Sequence, residues 1–123
     1  SQKEGFSIFL HFLESYINPF DKSDKLFLVG YNIHAFDVPF LRTFFNRNKN
    51  KYFGSYFHHP SIDVMLLIAY FAMKQKDKLP NFKLATIAKS LGIEVKDEML
   101  HNAMYDVEIT RDIFKLIEKE YDN

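Results

Sequence analysis

The sequence predicts an α/β domain, and two features of its hydrophobic patterning support that prediction. Residues 25–31, "KLFLVGY", contain five apolar residues in seven without alternation, as expected for a short parallel strand covered on both faces. Several other segments repeat apolar residues at steps of three and four, which is the spacing of amphipathic helices. A chain of 123 residues with 47% hydrophobic content is therefore expected to form one domain over residues 1–123.

The first half of the chain contains two predicted helices with the strand between them. Residues 4–17 form the first helix, whose buried face is predicted to hold Phe6, Phe9, Leu10, Leu13, Tyr16 and Ile17. The Asn-Pro pair that follows ends it. Residues 37–47, "DVPFLRTFFNR", form the next helix, with Asp37 or Val38 at its N-cap and Pro39 in its first turn, where a missing amide proton costs nothing. A strand leading into a helix in this way indicates a crossover unit.

The second half is predicted to be mostly helical. Residues 49–61 are expected to form a loop, residues 62–73 a short strand edge and then an apolar helix, and residues 74–81 a polar connection. A compact helix then buries Leu84, Ile87, Ala88 and Leu91, and Gly92 is placed as its C′ residue. The last helix is predicted from about Ala103 to Lys119.

The composition excludes several classes of protein and site. The chain has no cysteine, which rules out disulfides, thiolate zinc sites and a cysteine nucleophile and fits a cytoplasmic protein. No apolar run reaches the roughly 18 to 20 residues that cross a bilayer, and the N-terminal "SQKEGF" lacks the regions of a signal peptide. We therefore expect a soluble protein with no membrane partner. The net charge of zero gives no general case for coating nucleic acid.

Two local groups of cations are present nevertheless. Residues 42–51, "RTFFNRNKNK", hold four cations and no acid. A second group comprises Lys74, Lys76, Lys78 and Lys83. Such groups are either solvated faces or phosphate contacts, and the sequence leaves both interpretations open.

His101 and Asp106, in the stretch "HNAMYDV", lie where the last helix begins. Asp106 precedes Ile109 and Ile113 by three and seven residues, so it belongs to the buried face, where an isolated carboxylate needs a cation, hydrogen-bond donors or a raised pKa. His101 cannot share that face, because five helical steps place it about 140° away. It should precede the helix, with Asn102 as the N-cap. The alternatives are a partly exposed acid in the first turn and a histidine in a surface loop.

Asp37 and Asn32 lie just beyond the predicted strand. An aspartate opening a helix is a common structural choice. The carboxyl ends of parallel strands are, however, also where open α/β sheets bind ligands. Both interpretations of Asp37 remain open from this segment alone.

In combination, these segments resemble a known enzyme family. "LVGYNIHAFDVPFL", followed some 65 residues later by "HNAMYD", resembles the second and third motifs of the DEDDh 3′-to-5′ exonucleases, which include polymerase proofreading subunits. The intervening "SIDVMLLIAY" and "LPNFKLATIAKSLGI" are also similar to that family. A histidine five residues before the last aspartate favours the DEDDh branch over the DEDDy branch, which has a tyrosine four before, where this chain has Asn102.

The resemblance implies a fold, a set of residue roles and a reaction, which is the metal-dependent removal of nucleoside 5′-monophosphates from nucleic-acid 3′ ends. It implies a ribonuclease H-like exonuclease fold, of which this chain is the helix-rich C-terminal part with a short parallel strand. It implies that Asp37 and Asp106 are metal ligands for two divalent cations, Mg²⁺ or Mn²⁺, and that His101 is the general base. Asn32 is assigned a substrate contact. The substrate would be a single-stranded or frayed 3′ end of DNA, or of RNA, with a DNA polymerase as a further partner.

The family's first motif, an aspartate and a glutamate separated by one residue on an opening strand, is not found in this sequence. We therefore expect the chain to lack the N-terminal strands of the domain and to be incomplete as an enzyme by itself. The alternative function is a non-catalytic module of the same fold that binds nucleic acid or a polymerase. It would use Tyr52, Phe53, Tyr56 and Phe57 to stack on bases, although such aromatic residues more often pack in a core.

Three further residues near the middle of the chain were considered as ligands or caps. His58 and His59 are adjacent in an extended segment, so their side chains should point apart and form a poor metal pair. Asp63 is expected to be structural, as an N-cap for the helix that follows it.

Overall fold

The computed structural model describes residues 1–75 and 78–122. Lys76 and Asp77, which belong to the predicted polar connection, lie outside the described residues. The chain divides into two compact units. Unit 1 comprises residues 1–29 and 33–62, and unit 2 comprises residues 30–32 and the chain from Asp63 onward. The formation of a single domain over the whole chain stays a prediction.

The predicted strand is present but much shorter than its apolar run. Strand β1 (Val29–Gly30) pairs with β2 (Ile62–Asp63) in a two-stranded sheet, and a parallel bridge joins Leu26 to Phe57. The prediction that both faces are covered is wrong, because Phe27 is 55% exposed and Val29 is 41% exposed. Successive side chains of an extended segment point to opposite faces, and only one of those faces is packed within the described residues.

Unit 1 contains three helices: α1 (Gln2–Glu14), α2 (Asp37–Arg47) and α3 (Phe53–Tyr56). Helix α1 begins with a capping box between Ser1 and Glu4 and ends earlier than predicted, because the chain turns at Ser15 with hydrogen bonds back to the last carbonyl groups. Tyr16 is therefore exposed rather than on the buried face. Helix α2 has the predicted bounds. Helix α3 lies inside the segment predicted to be a loop.

Phe45 of α2 is the centre of an aromatic core in unit 1. Its side chain is fully buried, and its ring centroid lies 5.0 Å from that of Phe6 and 5.3 Å from that of Phe53, both edge to face. This arrangement places the positive edge of one ring against the negative face of the next. Leu13, Ile17, Tyr56 and Phe57 complete the buried cluster.

Unit 2 has an aliphatic core formed by three helices: α4 (Val64–Gln75), α5 (Leu84–Ser90) and α6 (Ala103–Asp122). Helix α6 packs against both α4 and α5. The buried cluster consists of Val64, Ile68, Ile87, Ala88, Ile109 and Ile113.

The ends of the unit 2 helices agree closely with the sequence predictions. Helix α6 starts at the predicted residue and continues three residues beyond Lys119. Leu91 is the C-cap of α5 rather than a buried helical residue and is 40% exposed. Gly92 has a φ of +80°, which confirms it as the C′ residue. In the part of the chain that the structure describes, no helix combines the length and the apolarity needed to cross a bilayer.

Candidate functional site

His101 occupies the position predicted for it, immediately before α6. Its side chain is exposed and its φ is +72°. Asn102 caps the helix, since its side-chain Oδ1 accepts a hydrogen bond from the backbone N–H of Tyr105 at 3.1 Å. The backbone carbonyl oxygen of Asn102 accepts a second bond, from the backbone N–H of Asp106 at 3.0 Å. The cap fixes the backbone beside His101 and leaves the imidazole open to solvent. Such an imidazole is accessible for proton transfer with water.

Asp106 lies in the first turn of α6 and is half-buried. Ile109 and Ile113, on the same stripe of the helix, are fully packed in the core. Within the described residues the Asp106 carboxylate has no hydrogen-bond or ion-pair partner; the bond from Thr110 Oγ1 goes to its backbone oxygen. The stripe predicted from the sequence is therefore present. Asp106 itself is only half-buried at the start of that stripe.

Asp37 is the first residue of α2 and not its N-cap. Phe36 is the N-cap, and it makes no side-chain capping bond. Asp37 already has helical geometry, so its side chain cannot occupy the capping position, and Val38 lies inside the helix. The exposed Asp37 carboxylate makes no hydrogen bond or ion pair among the described residues. Its negative charge is favourable at this helix N-terminus.

A groove in unit 1 runs along α2 from Asp37. Asp37, Phe40, Phe44 and Arg47 line one side of it, and Gln2 of α1 contributes to the other. The α2 residues are spaced at three and four positions, so they form one stripe along the helix. The groove has a volume of about 480 Å³. Asp37 and Arg47 are the first and the last α2 residues that line it.

Asp63 organises the residues that follow β1 in unit 2. It is 5% exposed, and its Oδ1 accepts hydrogen bonds from the backbone N–H groups of Asn32 at 2.8 Å and Met65 at 3.0 Å. The bond to Met65 confirms the predicted N-cap of α4. The bond to Asn32 holds that residue at a φ of +56° with its side chain exposed. A partial signal for this role is present in the sequence, since Asp63 is an acid at the end of a second short strand, directly before an apolar helix.

Tyr31, beside Asn32, anchors the same segment. Its hydroxyl donates a hydrogen bond to the carbonyl oxygen of Phe82. Burial, with a smaller contribution from the negative charge of Asp63, raises the pKa of Tyr31 to about 12. The hydroxyl therefore stays protonated at neutral pH and serves as a structural donor.

The aromatic residues proposed for base stacking are mostly part of the core. Phe53, Tyr56 and Phe57 are 8%, 5% and 3% exposed, which confirms core packing for all three and leaves them unable to stack on bases. Tyr52 is 56% exposed, with Lys51 Nζ at 5.6 Å from its ring centroid. His58 is stacked on Phe27 with centroids 4.2 Å apart.

The proposed metal ligands were tested by their chemistry and surroundings. Carboxylate oxygens are the ligands that Mg²⁺ and Mn²⁺ prefer, and Asp37 and Asp106 carry carboxylates with no other described partner. The donor type therefore fits a divalent cation at each residue. Asp37 belongs to unit 1, whereas His101 and Asp106 belong to unit 2. Among the described residues no group of three or more histidine, aspartate and glutamate side chains is arranged to hold a metal ion.

Comparison with known proteins identifies a superfamily. The RNase_H_2 family model, described as RNase_H superfamily, matches residues 2–107. Comparison with the curated proteins and with the solved structures finds no match. The match covers most of the chain, from α1 through His101 and Asp106. This protein therefore belongs to the ribonuclease H superfamily.

Proposed function

We propose that this protein is a metal-dependent 3′-to-5′ exonuclease of the DEDDh type, which removes nucleoside 5′-monophosphates from nucleic-acid 3′ ends. Membership of the superfamily supports a nuclease-type activity on nucleic acid. The observation that carries the finer proposal is the placement of His101. It stands exposed just outside a capped helix, and the first turn of that helix holds the half-buried carboxylate of Asp106, which has no partner among the described side chains.

The proposal assigns one role to each residue. His101 takes the proton of the attacking water as general base. Asp37 and Asp106 each contribute carboxylate oxygens to divalent cations, Mg²⁺ or Mn²⁺, which when bound would help to activate that water and to stabilise the departing 3′ oxygen. Asn32, whose backbone is held by Asp63, presents its amide side chain to the substrate.

The test is a cleavage assay with a labelled single-stranded oligonucleotide, run with DNA and with RNA in the presence of Mg²⁺ or Mn²⁺. We expect shortening from the 3′ end with release of nucleoside 5′-monophosphates. His101→Gln should reduce the rate about 100-fold or more, since general bases contribute factors of that size. His11→Gln, which changes an exposed histidine at the end of α1, is the matched control and should leave the rate unchanged.

Circular dichroism of both variants separates loss of chemistry from loss of fold. Near-normal cleavage by the folded His101→Gln variant would falsify the assigned role. Binding of 3′ ends without cleavage under any divalent cation would instead favour a non-catalytic module that keeps the fold. Attachment to a polymerase, which the resemblance also implies, is a separate proposal for which co-purification with a polymerase subunit is the direct test.

A further inference from the structure

The chain continues from Arg47, the last α2 residue that lines the groove, into a basic loop. Beyond Arg47 the chain carries Lys49 and Lys51, both exposed, and then the exposed ring of Tyr52. None of the ion pairs found within the described residues involves Arg47, Lys49 or Lys51. Their charges are therefore available to an external anion.

The loop has a defined backbone conformation rather than an open tail. The Asn48 side-chain amide donates to the Phe44 carbonyl oxygen at 2.8 Å, and Asn50 Oδ1 accepts from the Tyr52 N–H at 2.8 Å. Lys49 sits between them with a φ of +55°. The loop hydrogen bonds hold the backbone of both lysines in one arrangement at the end of the groove.

The groove itself combines apolar and cationic contacts. The rings of Phe36 and Phe40 are 70% and 72% exposed at its Asp37 end, and Arg47 lies at the other. Aromatic faces that stack on bases, together with cations that follow the backbone, are the features by which proteins hold single-stranded nucleic acid. An acidic partner would contact only the cations, and a purely apolar partner would contact only the aromatic rings.

Helix α2 sets the length of this path. Ten residues separate Asp37 from Arg47, which corresponds to about 15 Å along the helix axis. A stacked strand advances about 3.4 Å per nucleotide. The basic loop therefore lies roughly four nucleotides away from whatever is bound at Asp37.

We propose that the α2 groove and the basic loop form a track for the single strand that leads away from the terminal nucleotide. This inference rests on the proposed function, because it takes Asp37 to mark the position of the 3′ end. Phe40 stacks on a base along the track. Arg47, Lys49 and Lys51 bind phosphates from about the fourth nucleotide onward. A strand of three nucleotides therefore does not reach the basic loop, whereas a longer strand contacts it.

The test is equilibrium binding in Mg²⁺ of a trinucleotide and of a twelve-nucleotide single strand, measured by fluorescence anisotropy in the His101→Gln background so that the 3′ end can be held without being cut. The double variant Lys49→Gln/Lys51→Gln is compared with Lys115→Gln/Lys119→Gln, which removes two exposed cations from α6. The first should weaken binding of the longer strand about tenfold and leave the trinucleotide unaffected. It should also lower the slope of log affinity against log salt by about 1.4, since each phosphate contact to a single strand contributes about 0.7.

Phe40→Ala provides a second, uncharged readout. It should weaken binding of the longer strand about tenfold without changing the salt slope, because stacking releases no counterions. The track is overturned by an equal loss in the α6 control, by an unchanged salt slope in the loop variant, or by a trinucleotide affected as strongly as the longer strand. Equal competition by a polyglutamate of matched charge would also overturn it, since any polyanion would then suffice.

Because binding is measured in a background that lacks the proposed general base, and cleavage is measured in the unaltered chain, the two proposals can fail separately. If the protein binds single strands as described but does not cleave them, the track is supported and the exonuclease assignment is wrong. If the unaltered protein cleaves 3′ ends and the loop variant still binds the longer strand normally, the exonuclease assignment is supported and the track is wrong.

Discussion

Unit 1 and unit 2 are stabilised by different kinds of core. Phe45 of unit 1 is buried among aromatic rings that meet it edge to face. Ile87 and Ile113 of unit 2 are equally buried, but in a cluster whose buried members are all aliphatic. Unit 2 also buries a charged residue, Asp63, whereas the buried cluster of unit 1 is apolar apart from the tyrosine hydroxyl of Tyr56.

The difference indicates what each unit supplies to function. Edge-to-face rings contribute large buried areas with a defined geometry, which suits the rigid α2 scaffold of the groove. A buried carboxylate must be matched by donors, and in unit 2 those donors are backbone N–H groups, so Asp63 fixes the chain path at Asn32. Packing therefore shapes the proposed site in unit 1, and a polar contact shapes it in unit 2.

The largest expected effect is that of Phe45→Ala, which would break the aromatic core at its centre. Removing a fully buried phenylalanine costs about 3 to 5 kcal/mol of unfolding free energy, a large part of the stability of an ordinary domain. Urea unfolding followed by circular dichroism measures it. Phe40→Ala, on the same helix but exposed, should change stability by less than about 0.5 kcal/mol. A loss below about 1 kcal/mol for Phe45→Ala would mean that the aromatic cluster is not the main support of unit 1.

Asp63→Ala tests the polar contact of unit 2 and should have the second-largest effect. It leaves the N–H groups of Asn32 and Met65 without an acceptor, at a cost of about 2 to 3 kcal/mol. Asp63→Asn retains an acceptor oxygen and should lose less. Urea unfolding gives the cost, and amide hydrogen exchange at Asn32 shows whether its backbone has become free. Unchanged protection at Asn32 in Asp63→Ala would contradict the positioning role.

The smallest expected effect is a loss of folding stability at alkaline pH, which comes from the ionisation of one tyrosine in each unit. Burial raises the pKa of Tyr56 to about 12, helped by its hydrogen bond of 2.6 Å to Glu14 Oε1; Tyr31 reaches about 12 as well. Since the folded state favours the protonated hydroxyl, this stabilisation is complete below the ordinary pKa of about 10 and is lost as the pH rises from there toward about 12.

An ultraviolet absorbance titration measures this ionisation directly. Two of the seven tyrosines should ionise late, and Tyr31→Phe and Tyr56→Phe should each remove one of them. If Tyr31 and Tyr56 ionised near pH 10, neither hydroxyl would be held in its neutral form by the fold.

The sequence predicted the helices well because their apolar periodicity is a local property. The start of α6 follows from Asn102, whose capping side chain acts over three residues. The same periodicity does not say which aromatic residues are buried. Phe40 and Phe45 lie five residues apart on α2 and so point to different sides, yet only the packed structure shows that Phe45 faces the core.

The strand and the site were harder to predict because both depend on contacts between distant segments. The apolar run at residues 25–31 gives no sign that Phe27 remains exposed, since coverage of a strand face comes from elsewhere in the chain. Asp63 was recognised as a cap, but its bond to Asn32 joins residues 31 positions apart. The first helical residue of α2 depended on backbone angles at Phe36 that no residue preference fixes.

Backbone geometry at a few positions has a consequence for engineering. Asn32, Lys49 and His101 adopt positive φ values within the described chain, and Lys49 follows the C-cap of α2 as Gly92 follows that of α5. An L-residue with a side chain loses about 1 to 2 kcal/mol in that conformation relative to glycine, although asparagine loses less. All three residues have a role in the proposed chemistry or binding. Lys49→Gly would relieve that cost, but glycine also raises the conformational entropy of the unfolded chain, so the exchange would remove a cation from the loop with little net gain in stability.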